Sequence, residues 1–90
     1  MKREALRDTL ARLHAELEGA DPVDAALRSD LERALADIRA VMEREQAPGP
    51  AEVHPLGERL EELALRFEQS HPVLTQAIGG VVRALGAMGI

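Results

Sequence analysis

Apolar side chains recur at steps of three and four residues in four stretches of this 90-residue chain: Leu6, Leu10, Leu13, Leu17; Leu27, Leu31, Leu35, Ile38, Met42; Leu56, Leu60, Leu63, Phe67; and Leu74, Ile78, Val81, Leu85, Met88. That spacing keeps each set on one face of a helix, so the chain must bury helical faces against one another. The expected fold is all-α, with four helices over about residues 3–18, 22–45, 55–69 and 72–88 in helix-bundle or coiled-coil-like packing.

Boundaries follow from the residues between the seams. Gly19 suits a left-handed turn after the first helix. Asp21 and Pro22 read as the N-cap and first position of the second, which makes the first two helices an antiparallel hairpin. The second helix carries Ala34 and Val41 beside Leu35 and Met42, two overlapping seams that suit more than one neighbour. Its outer face holds Arg28 with Glu32, Arg33 with Asp37 and Arg39 with Glu43, each pair four residues apart, which suggests a solvated charged face. The stretch 46–54, rich in proline and glycine, reads as a linker that divides one small domain, residues 1–90, into hairpins 1–45 and 55–90. His54-Pro55 and His71-Pro72 each stand where a helix is expected to begin. One long helix kinked near Pro72 is the alternative at the second site.

The last helix differs from the others. From Val73 to Ile90 its only charged side chain is Arg83, and glycines stand at Gly79, Gly80, Gly86 and Gly89. Glycine within a helix costs about 1 kcal/mol relative to alanine, so the internal ones call for a reason. Gly79 and Gly86 share a stripe with Thr75 and Val82, away from the main seam, and small residues let two helix backbones approach closely. The sequence therefore suggests that this helix packs on the third by its main seam and on a second copy of the chain by the small-residue stripe. Leu74, Ile78, Gly79, Val81, Val82, Leu85 and Gly86 are the expected interface.

Composition narrows the functional classes. There is no cysteine, hence no disulfide and no thiolate metal site. Sixteen acidic against eleven basic residues give a net charge of −5, and one Phe with no Trp or Tyr offers no stacking platform, so nucleic acid is not an expected partner. The charged N-terminal segment has no apolar core of a signal peptide, which points to the cytoplasm. A membrane is a poor fit too, because the last helix is short of the ~20 residues needed to span and carries Arg83.

No reaction is announced. Glu68 and His71 form one Glu-x-x-His unit of the kind used in pairs by di-iron bundles, but no second unit is present. His14 lies at the edge of the first seam. The carboxylates Glu58, Glu61 and Glu62 are interleaved with Arg59 and Arg66. The only hydroxyls are Thr9, Ser29, Ser70 and Thr75, with no base arranged beside any of them. No catalytic residue, metal or cofactor is assigned.

Three segments together resemble a known family: Leu6 to Leu17 with Leu13-His14 and Glu16-Leu17, the phrase Arg66-Phe67-Glu68-Gln69-Ser70-His71-Pro72, and the ending Met88-Gly89-Ile90. They are similar to short bacterial helical proteins grouped as domain-of-unknown-function family 4404. The resemblance implies the helical architecture and carries no activity, cofactor or catalytic residue. The expectation is a non-enzymatic structural or protein-interaction module that self-associates as a homodimer or higher oligomer. The alternative is a regulatory adaptor whose C-terminal helix binds a helix of another protein. Weaker alternatives are a metal-dependent enzyme and a membrane-surface binder.

Overall fold

Four helices follow one another in the computed structural model, which describes residues 2–20, 22–44 and 49–89: α1 (Lys2–Gly19), α2 (Ala25–Met42), α3 (Pro50–Phe67) and α4 (Pro72–Gly89). Each has eighteen residues, or about five turns. They run up and down in alternation within a body 37 × 20 × 18 Å across.

Which faces meet is less even than the repeated pattern suggests. α4 packs extensively on both α1 and α3, α2 packs on α3, and α1 meets α2 only narrowly. The hairpin of α3 and α4 is thus a tightly packed unit. That of α1 and α2 is antiparallel but thin, because α1 gives its seam mainly to α4. Two arginines bridge its ends: Arg3 donates to the carbonyl of Arg44 at 3.1 Å, and Arg28 to the carbonyl of Leu17 at 3.1 Å.

The core is the apolar seams. All the residues named at the outset are buried except Leu27, Leu56 and Met88, which pack half-buried on the same cluster, and Ala34, Val53 and Ala77 join them. Every buried residue among those described is hydrophobic. Phe67 and Leu60 of α3, Leu6, Leu13 and Leu17 of α1, and Ile78 and Val81 of α4 are sealed from solvent almost completely. Full burial of such side chains contributes about 1.5–3 kcal/mol each before ordering entropy is charged against it.

Helix ends depart from expectation most in three places, and α2 also stops at Met42 where residue 45 was expected. α2 begins at Ala25 rather than residue 22, since the carboxylate of Asp24 accepts from the amides of Ala26 at 2.9 Å and Leu27 at 3.1 Å and so caps the helix there. Asp21, the expected cap, lies outside the described residues. Gly19 does not turn left-handed, for no described residue has positive φ. The amide of Ala20 instead bonds back to Leu17, and Arg28 covers the same carbonyl. A cation on the last carbonyls of a helix satisfies them and suits the dipole.

The third departure is the largest. α3 begins at Pro50, not after Pro55, so the expected linker at 46–54 is helical from Pro50 onward, while 45–48 lie outside the described residues. Val53 explains it. It stands seven residues before Leu60 and fourteen before Phe67, and it is buried with them. Extending the helix carries Val53 into the core, which offsets the backbone bond that Pro55 cannot make. Amides of Glu52 and Val53 bond to the Gly49 carbonyl at 3.0 and 3.1 Å and close the first turn.

At the other junction, α3 and α4 are separate helices, with a turn over residues 68–70 in place of a kink. The His71 amide bonds to Phe67 at 2.8 Å, and the His71 carbonyl accepts from the Thr75 amide at 3.0 Å. Pro72 opens α4, where it leaves no amide unpaired.

Gly57 lies within α3, and a Cβ placed there would meet nothing within 4 Å. Gly57→Ala is therefore expected to raise stability by about 1 kcal/mol through helix propensity, read as a higher urea midpoint.

Candidate interaction surface

Of the seven α4 residues expected at an interface, four are buried and three line the outer border of the helix. Leu74, Ile78, Val81 and Leu85 are buried in the chain's own core, at 2%, 0%, 0% and 1% exposure. In this fold they are not open to a partner. Gly79 and Val82 are half-buried and Gly86 is exposed. Thr75 marks where this stripe runs, since its hydroxyl bonds to the His71 carbonyl at 3.1 Å and lies 3.4 Å from the Ala64 carbonyl of α3. The small residues thus follow the outer border of α4 with α3.

None of these glycines is required by the packing of the chain itself. A Cβ at Gly86 would enter open space, and one at Gly79 would lie 3.7 Å from Nη1 of Arg83, an ordinary contact with a flexible side chain. Gly80 turns the other way, and a Cβ there would sit 3.9 Å from Thr9 Cγ2 of α1. The wide apolar character of α4 has an internal cause, because this helix lies between α1 and α3.

A second arrangement went unread in the sequence. Three ion pairs cross from α2 and the bend just after it to α3: Arg44 with Glu52, Asp37 with Arg59 at 2.6 Å, and Asp30 with Arg66 at 3.8 Å. The partners are spaced by seven along both segments, running in opposite directions, so the ladder follows one edge of an antiparallel seam. Arg66 also reaches Glu62, one turn back, at 3.2 Å. The three pairs expected within the second helix are not among the described ion pairs. Asp37 turns to Arg59 and Arg28 to a backbone carbonyl instead. Basic-first pairs on one helix are weak, and a cation across a seam displaces them.

The pair at one end of that ladder is shifted by its own contact. The Arg44 guanidinium, by its hydrogen bond above all, holds the Glu52 carboxyl below the usual glutamate range, and Arg44 is raised in turn. A carboxyl lowered by folding adds stability above its unfolded pKa of about 4.3, and this is lost as pH falls through the lower folded value. Glu52→Gln is accordingly expected to flatten the acid limb of a stability–pH curve below about pH 4.3, as checked by urea midpoints at matched ionic strength.

The other polar candidates lie apart. Glu68 is exposed, and Nδ1 of the half-buried His71 pairs with Ser70 Oγ at 2.9 Å. His14 is more exposed than a seam-edge position suggests and faces Glu18 at 3.7 Å, while His54 faces Glu58 at 2.7 Å. Among the described residues, no three His, Cys, Asp or Glu side chains gather as metal ligands would. No described helix is long and apolar enough to cross a membrane.

Fold and surface together define a small four-helix bundle with an all-apolar described interior and its charged groups outside. The family model described as Domain of unknown function (DUF4404) matches residues 6–90, nearly the whole chain, and the chain belongs to that family. No curated protein and no solved structure matches it.

Proposed function

We propose that this chain is a non-enzymatic, cytoplasmic interaction module that self-associates through the outer border of α4. The observation that supports this reading is the strip of Gly79, Val82 and Gly86, whose glycines the chain's own packing does not require. In a chain with 30% charged residues, a helix whose only charge is Arg83 stands apart. A second copy presents the same strip, and a twofold axis would let the two meet at close backbone approach.

Light scattering on the wild type and on a Gly79→Leu/Gly86→Leu variant tests the reading. The expected result is a wild-type mass that is a multiple of the 9.8 kDa chain and a variant shifted to the monomer with its helical content retained. A wild-type monomer, or an unchanged variant mass, would refute it. A monomer would favour the adaptor reading, in which a helix of another protein takes the strip.

A further inference from the structure

The lone charge of α4 has no counter-ion among the described residues. Arg83 stands across from Arg12 of α1, and neither takes part in any ion pair among the described residues. The two line one recess of about 280 Å³ together with Thr9, Gln76, Ala77 and Gly80. No carboxylate lines it, although the chain has sixteen acidic residues. Asp8 and Glu16 flank Arg12 one turn away on α1, yet neither is paired with it.

We infer that this recess binds a small oxyanion, of the phosphomonoester class. Two arginines from different helices line it, and Arg forks match the oxygens of phosphate in a bidentate manner. The Gln76 amide adds a neutral donor. Thr9 does not, since its hydroxyl proton already serves the Leu6 carbonyl at 2.8 Å. Gly80 keeps the recess open, as a longer side chain there would project over Thr9. Arg83 rests over Gly79, where the missing side chain gives it room, and a turn of its long stem brings the fork to the ligand. The volume lies at the small end of ligand sites, which suits a phosphate with a short organic group and not a nucleotide.

The phosphate could belong to a free metabolite or a lipid headgroup, and the assay separates the two. The full chain is titrated with inorganic phosphate and with O-phosphoserine at constant ionic strength, with chloride as reference, and followed by amide and guanidinium NMR shifts. Sedimentation with phosphatidic acid vesicles is run alongside. Saturable shifts at Thr9, Arg12, Gln76, Gly80 and Arg83 are expected, and Arg12→Gln and Arg83→Gln should each weaken binding about tenfold or more. Arg33→Gln, outside the recess, should leave it unchanged. Vesicle binding alone, lost in the same two variants, assigns the site to a headgroup. Shifts that do not saturate, or that persist in both variants, overturn the proposal, as does equal binding by Gly80→Leu with its fold intact.

Discussion

Phe67→Ala is expected to lower the free energy of unfolding by about 3–5 kcal/mol, the range for removing a buried aromatic ring. Phe67 is the only aromatic residue of the chain and is 1% exposed at the end of α3. Its ring meets the His71 imidazole edge-on, with centroids 5.9 Å apart and planes at 77°. Its carbonyl receives the His71 amide. The ring therefore anchors the core and the turn that reverses the chain into α4 at once. At roughly 0.05–0.15 kcal/mol per residue, a 90-residue chain has about 5–13 kcal/mol in all. One ring thus accounts for a quarter of the stability or more. Urea unfolding followed by far-ultraviolet circular dichroism gives the measurement, and Phe67→Leu, which keeps most of the volume, should cost below about 1.5 kcal/mol. Equal stability of Phe67→Ala and wild type would mean that α3 does not pack as described.

Ile78→Ala carries the second large effect, about 2–5 kcal/mol. Ile78 is fully buried on α4, the helix that packs on both α1 and α3. Because those contacts lie within one chain, the loss should be the same at low and high protein concentration. A contact between copies behaves otherwise, since mass action then ties apparent stability to concentration. The variant separates the two faces of α4: Ile78→Ala weakens the fold, whereas Gly79→Leu/Gly86→Leu is expected to change assembly and leave the fold standing. If the Ile78→Ala loss vanished on dilution, that seam would belong to an interface.

The seams were legible because helical burial is periodic, and period is a property of sequence. Leu13 and Leu60 could be placed in the core from their neighbours alone. Val53 could have been found the same way, being one heptad before Leu60, but Pro55 between them read as a start signal. In α3 the helix runs through Pro55 with Val53 buried upstream, and that burial offsets the lost bond. Asp24 was missed for a similar reason: Asp21-Pro22 and Asp24 are both sound caps, and the choice depends on where the first turn meets the core. The charge ladder from Asp30, Asp37 and Arg44 to Arg66, Arg59 and Glu52 could not be read within one helix at all. Its spacing shows only once α2 and α3 are known to be antiparallel neighbours in that register.

The candidate surface divides along the same line. That α4 is apolar nearly all round was plain from its residues, and an unpartnered face was a fair inference from that alone. Sequence by itself determined that there are four amphipathic helices, most of the side chains each one buries, and that Arg83 stands as the only charge on the last. Tertiary structure alone decided that α4 lies between α1 and α3, so that Leu74, Ile78, Val81 and Leu85 are used internally, and that Arg83 and Arg12 share a recess. The reason is physical: periodicity records that a face must leave water, but not which of several equally apolar faces it meets.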